Sequence, residues 1–200
     1  MPKISDEKRE ARKAQILEAA WVCFQRKGLH AATMDDIIDA SGLSAGAVYS
    51  YFSSKDALIL SAVTASLSGL ADLISKVLRK EPLTTPIDIF RLIVAAIDGF
   101  AARDGYDLKR IALLGWSEAQ HNDGLRAIMD PYYRNFRREL SDAVRRAHTG
   151  LEPIDQQSAD DIAVTLLSLT FGYVVQSSVL RDVPAKQIGR GLAGLSRTSS

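Results

Sequence analysis

Cysteine is almost missing from this chain: Cys23 is the only one among 200 residues. An internal disulfide is therefore excluded, and with it a disulfide framework or a four-cysteine zinc site. Charge of one sign is missing too. The chain sets 25 Lys and Arg against 24 Asp and Glu, so charge alone names no partner. His30, His121 and His148 share no ligand-like spacing with one another or with Cys23, and no metal or cofactor is expected. No sustained apolar-polar alternation bounded by turn residues occurs, so no strand is expected. Met1 to Lys13 is charged throughout, without an apolar run behind a basic start, which predicts no secretory signal; the lone thiol suits a reducing cytoplasm. What the chain does have is apolar material, 46% of its residues beside 24% charged ones, the balance of a folded protein with a real core.

Apolar residues recur at three and four along nearly the whole length, which predicts an all-α chain of about nine helices. Ile16, Ala20, Cys23 and Phe24 face inward on a first helix ending near Lys27, with Gly28 suited to the left-handed position after it. Thr33 is placed to cap a short second helix, whose first turn holds Asp35 and Asp36 and whose end is Gly42. Ser44 caps a third, Ala45 to Phe52; Ser53 or Ser54 opens a fourth, Lys55 to about Lys80. The break from Glu81 to Pro86, with two prolines and two threonines, precedes five more segments. Within the stripe from Leu125 to Leu140, Pro131 either kinks one helix or starts another. The last helices run from Ser158 to Leu180 and from about Ala185 to Leu195, with a frayed tail after Arg197.

The segment from Ile162 to Leu180 carries no charge and approaches the length a bilayer requires. Its hydroxyls and amides (Thr165, Ser168, Thr170, Gln176, Ser177, Ser178) instead suit a helix buried between protein surfaces, and no aromatic or basic belt flanks both ends. No membrane partner is expected.

The most informative stretch runs from Thr33 to Lys55, two short helices around Ser41-Gly42-Leu43-Ser44. Gly42 permits a tight turn, Ile37, Ile38, Leu43, Val48 and Phe52 can clamp the helices, and the outer face of the second is free to enter a major groove. With the first helix before it and Lys55 to Leu58 after it, this stretch closely resembles the helix-turn-helix domain of the TetR family of transcriptional regulators. The link from Gly28 to Thr33, the Ser-Gly-Leu-Ser turn, Gly46, the ending Tyr49-Ser50-Tyr51-Phe52 and the lysine opening the next helix carry the resemblance.

Residue by residue, the resemblance implies DNA contacts from Thr33, Ser44, Ala45, Gly46, Ala47, Tyr49, Ser50, Tyr51 and Lys55. The hydroxyls of Thr33, Ser44, Tyr49 and Tyr51 and the Lys55 ammonium are phosphate-positioning groups; Ala45, Ala47 and Ser50 are the base-reading ones. Two alanines make no bidentate hydrogen bonds, so readout leans on thymine methyls and close approach at Gly46. Residues 40–54 hold no charge, and attraction to phosphate has to come from elsewhere, with Lys8, Arg9 and Arg12 on the first helix as sources.

A rival motif overlaps the same residues. Gly42-Leu43-Ser44-Ala45-Gly46 satisfies G-x-S-x-G, the nucleophile elbow of esterases. The elbow needs a buried strand before its serine, whereas Met34 to Ser41 is charged and helix-periodic, so no catalytic residue and no enzyme activity are expected.

For the remainder, the resemblance implies a DNA-binding domain over 1–55 and a helical ligand-binding and dimerisation domain over 56–200. Ser168 and Gly172 lie one turn apart for close helix approach, and Ile188, Leu192 and Leu195 stripe the final helix; these five are the expected homodimer residues. Phe100, Trp116, Gln120, His121, Met129, Tyr133, Phe136 and Phe171 supply the aromatic walls and polar anchors expected of a small-molecule effector site. The resulting expectation is a cytoplasmic repressor that leaves a palindromic double-stranded operator when the effector binds.

Overall fold

The computed structural model describes residues 6–79, 85–103, 105–148, 154–180 and 183–197. Among them are nine helices: α1 (Asp6–Ala31), α2 (Met34–Ser41), α3 (Ala45–Tyr51), α4 (Lys55–Leu78), α5 (Pro86–Ala101), α6 (Leu108–Glu118), α7 (Asp123–Ala147), α8 (Gln156–Val179) and α9 (Ala185–Arg197). The all-α expectation holds with one correction. Between α5 and α6, β1 (Ala102–Arg103) and β2 (Tyr106–Asp107) pair antiparallel, with Ala102 opposite Asp107 and Arg103 opposite Tyr106. Strands of two residues are too short to show any alternation. Their anchor lies far away in sequence: the Gln25 side-chain carbonyl accepts the Asp107 N–H, and its amide donates to the Gly105 carbonyl at 3.5 Å.

One helix boundary also differs from expectation, and one open alternative is resolved. The chain turns at Gly28 (φ 83°, ψ 167°), but the ψ is extended and not left-handed helical, and one further turn, Leu29 to Ala31, follows it. Pro131 lies inside a single α7, the first of the two alternatives its position allows. Of the predicted break from Glu81 to Pro86, residues 81–84 lie outside the described residues and α5 begins at Pro86; the tail after Arg197 lies outside them too.

The chain divides into two compact units, one of residues 1–66 with 102–128 and the other of 67–101 with 129–200. In the first, Ile16, Ala20, Phe24, Ile37, Val48, Leu58 and Leu125 are at most 1% exposed. Each large side chain so buried contributes roughly 1.5–3 kcal/mol relative to exposure. Here α1 packs against α2 and α6. In the second unit, α5 packs against α8 and α9 around Ile89, Phe90, Ile93, Val94 and Leu140.

Helices α4 and α8 are each long and apolar enough to cross a membrane by length and composition, with mean hydropathies of 1.8 and 1.6. The α8 hydroxyls return to their own backbone: Thr165, Ser168 and Thr170 donate to the carbonyls of Asp161, Val164 and Leu166 at 2.8 to 2.9 Å. Val164, Val175, Val179 and Leu180 remain exposed.

Candidate nucleic-acid interface

The start of α2 is fixed by a reciprocal cap. Thr33 Oγ1 accepts the Asp36 N–H at 3.1 Å while Asp36 Oδ2 accepts the Thr33 N–H at 2.9 Å. Lys27 Nζ reaches the other carboxylate oxygen at 2.6 Å, tying α1 to the same cap. The Lys27 contact and the two Thr33 bonds hold the Asp36 carboxyl down at about 2 against an ordinary 3.8.

The turn is equally determined. Gly42 has φ 65° and ψ 17°, a left-handed backbone that side chains other than glycine rarely adopt, and its N–H closes on Asp39 O. Before it, Ser41 is buried with all its groups engaged: Oγ donates to Ile38 O at 2.8 Å and accepts from Leu43 N at 3.2 Å, and its carbonyl takes Gln15 Nε2 at 2.7 Å. Ser44 Oγ then caps α3 by accepting the Ala47 N–H at 3.3 Å.

Val48 (0% exposed) and Phe52 (4%) anchor α3 from below. That pins its rotation and decides which residues face away. Thr33, Ser44, Ala45, Gly46, Tyr49 and Ser50 are exposed; Ala47, Tyr51 and Lys55 are half-buried. At Gly46 a Cβ would meet nothing within 4 Å, so the helix backbone itself is open to close approach. Ser50 Oγ donates to Ala47 O at 2.6 Å, which leaves its oxygen as an acceptor. Lys55 Nζ donates to His30 O at 2.7 Å and keeps two further N–H donors. Lys8, Arg9 and Arg12 lie on the exposed first turns of α1, with Arg12 bonded to Gln15. The arrangement is a small, neutral, rigidly oriented helix face with cations off to its sides. Its shape is suited to insertion into a groove.

The remaining expected residues fall in both units. Trp116 (half-buried), Gln120 and His121 (both exposed) belong to the first. Phe100, Met129, Tyr133, Phe136 and Phe171 belong to the second. There Phe100 crosses α4 at Gly69, where a Cβ would lie 2.8 Å from the ring. Tyr133 and Phe171 meet edge to face, their centroids 5.2 Å apart, and Met129 is buried. Tyr133 and Phe136 line a cavity of about 30 Å³ together with Tyr132, an aromatic of the same stripe, and two residues that the sequence did not single out, Asn135 and Glu139. Tyr132 shares a 2.7 Å hydrogen bond with Ser68, and Asn135 donates to Glu139 at 3.2 Å. Spacing of four along α7 joins Tyr132 to Phe136 and Asn135 to Glu139, a signal that is present in the sequence. On α8, Ser168 is exposed and Gly172 opens on empty space; on α9, Ile188 and Leu192 are half-buried, and the Leu195 side chain lies outside the described residues.

Comparisons with known proteins converge on one kind of molecule. The family model of bacterial regulatory proteins, tetR family, matches residues 16–62, and that of the BetI-type transcriptional repressor C-terminal region matches 92–193. The chain is 49% identical over 55 residues to the HTH-type transcriptional regulator YfiR of Bacillus subtilis, covering 28% of this chain and 27% of that one. Against the HTH-type transcriptional regulator BetI of Paraburkholderia phytofirmans it is 30% identical over 163 residues, 76% of this chain and 80% of BetI. It spans half the length of a Mycobacterium tuberculosis HTH-type repressor, at 35% identity. A solved transcriptional regulator of Saccharomonospora viridis, in complex with choline, shares the fold with a TM-score of 0.75 at 22% identity, over 93% of this chain and 95% of the other.

Proposed function

The chain belongs to the TetR family of bacterial transcriptional regulators, and on that premise we propose that it is a repressor whose homodimer holds a palindromic operator and releases it when a small-molecule effector binds. In this reading residues 1–55 bind DNA and 56–200 receive the effector and pair the protomers. The protein works in the cytoplasm, by binding and not by turnover. The observation that carries the proposal is the orientation of α3: its buried anchors, Val48 and Phe52, leave Ala45, Gly46, Tyr49 and Ser50 as one outward face. Tyr49, Tyr51, Ser44, Thr33 and Lys55 position the protein on phosphates; Ala45, Ala47 and Ser50 meet base edges.

Pairing is supported by α8. Its exposed line Val164, Ser168, Val175 and Val179 follows helical spacing, opens at Gly172, and has no charge to solvate it. A second copy covers that line about a two-fold axis, and α9, with Ile188, Leu192 and Leu195, is the helix expected to pair beside it. Two readers one helical turn or a multiple apart then meet two half-sites.

The second unit's cavity supports an effector class. Opposite Leu67, Leu70, Ala71 and Ile74 of α4, three aromatic rings, Tyr132, Tyr133 and Phe136, and one carboxylate, Glu139, border it, and rings beside a carboxylate favour an organic cation. The choline bound by the S. viridis regulator is of that class. A volume of about 30 Å³ holds little more than one water, so an effector has to bind a more open conformation and shift the population toward it.

The test is fluorescence anisotropy of the purified protein on DNA from upstream of its own coding region and on a random-sequence pool, with salt varied. Saturable preference that weakens as salt rises, and that Tyr49→Ala with Lys55→Ala abolishes while the circular dichroism is unchanged, is the expected result. Choline or tetramethylammonium then releases the DNA, and does so less effectively for Glu139→Gln. Failure to enrich any sequence from the pool would overturn the DNA-binding reading. Release by neither cation would overturn the effector class alone.

A further inference from the structure

The one-turn segment between Gly28 and Thr33 precedes the reader, and three separate side chains converge on it or its neighbours. The Lys55 ammonium, at the start of α4, donates to the His30 carbonyl at 2.7 Å. Lys27 holds Asp36, the acid that caps α2. The third comes from α6: Glu118 Oε2 lies 2.9 Å from His30 Nε2. Both ends of the reader, Thr33 before it and Lys55 after it, are thus close to His30, one along the chain and the other through a hydrogen bond.

Glu118 is an odd residue to find where it is. It ends α6, where exposed carbonyls make the surroundings negative and an acid is disfavoured. Its own carbonyl already accepts the N–H groups of His121 and Asn122, each at 3.0 Å. Its side chain is only 15% exposed, whereas that of His30 is 88% exposed. Asn122 Nδ2 approaches the other carboxylate oxygen at 3.4 Å, a long hydrogen bond. The shielded carboxylate therefore depends on the imidazole. Either the Nε2–H tautomer or the imidazolium satisfies it. Without it, His30 would be a solvent-exposed side chain on a short turn, held only through its backbone.

We infer that Glu118 is a positioning residue for DNA binding: through His30 it fixes the turn between α1 and α2, and with it the placement of Thr33 and Lys55 against phosphate. The inference rests on the DNA-binding reading above. It makes the end of α6 part of the reading machinery, although α6 contributes no residue to the DNA-facing surface.

The experiment measures wild type, Glu118→Ala, Glu118→Gln, His30→Ala and the double alanine variant on DNA selected by the wild type, across a salt series, with thermal melts alongside. Each single alanine variant is expected to bind about 5- to 10-fold more weakly, and the double variant no worse than either single one, because both remove the same interaction. The slope of log affinity against log salt becomes shallower by about 2, as when each protomer of the proposed dimer neutralises one phosphate fewer, which a change in stability alone does not produce. Glu118→Gln, which keeps an acceptor for the imidazole N–H, recovers most of the affinity. Wild-type affinity and slope in Glu118→Ala, or effects that add in the double variant, overturn the inference while leaving the family reading intact. If the wild type itself selects no DNA, both fall together.

Discussion

Helices α3 and α8 both present small, uncharged residues outward, yet the proposed function gives them opposite kinds of partner. The shorter one, α3, exposes Ala45, Gly46 and Ser50 beside the half-exposed ring of Tyr49, and the Ser44 hydroxyl at its start is committed to a cap. It is thin and wettable, and in the proposed reading its affinity for a polyanion comes from cations on other helices. The longer one, α8, exposes Val164, Val175 and Val179, and the hydroxyls of Thr165 and Ser168 are spent on its own carbonyls. Lack of charge therefore means two things. On α3 it keeps the outward face narrow, as the proposed groove reading requires; on α8 it leaves an apolar line that water solvates poorly and that a second copy covers in the proposed dimer.

A carboxylate on the α8 line breaks this contrast most sharply. Val175→Asp puts a charge where 41% of the residue is exposed in one protomer, so the protomer folds as before. In the dimer the two-fold axis brings two such carboxylates to one apolar surface. Sedimentation should show monomers at micromolar concentration, and operator affinity should fall on the order of 100-fold, since one reader then binds alone. A dimer of unchanged affinity would mean that α8 pairs with something else.

Glycine sharpens the comparison at a smaller scale. Gly42 and Gly172 both have empty space where a Cβ would go, but only Gly42 has a positive φ, 65°. Gly42→Ala should lower stability by roughly 1–2 kcal/mol through backbone strain alone. Gly172→Ala, inside a helix, should instead raise protomer stability by roughly 1 kcal/mol and weaken pairing, because its space is kept for the partner. Denaturant melts at two protein concentrations separate the two effects.

The parts readable from sequence are those built by neighbours. Thr33 with Asp36, Ser44 with Ala47, and Gly42 before Leu43 lie within three or four positions of each other, so their residue types announce the caps and the turn. The rest depends on contacts between distant segments. The hairpin at 102–107 exists because Gln25 engages Gly105 and Asp107; Ser41 is held by Gln15; Glu118 finds His30. The aromatic residues show the same limit. Trp116 and Tyr133 lie on similar amphipathic stripes, and nothing in the stripe assigns one to the first unit and the other to the second. Glu139 is hidden in the sequence because a carboxylate on a charged helix looks like solvated surface until three rings are found beside it.

The smallest effect concerns acid. Asp36 has a carboxyl held at about 2 where the unfolded chain has the ordinary 3.8, chiefly through the Lys27 hydrogen bond and then through Thr33. A depressed folded value means that the folded state prefers the ionised form. The stabilisation is therefore complete above the unfolded value and disappears as pH falls from near 4 toward 2, where both states bind the proton. Asp36→Asn lacks this titration but keeps an amide oxygen for the Thr33 N–H. The melting temperature of the wild type should exceed that of Asp36→Asn at pH 6, and the gap should close across that acid window. The same substitution at Asp130 removes a carboxyl that is lowered in the same direction, first by its bond to Arg134. Only Asp36 caps the reader, so only its substitution should also weaken operator binding at neutral pH. Equal operator affinity for Asp36→Asn and Asp130→Asn would mean that the cap stabilises α2 without setting where α3 points.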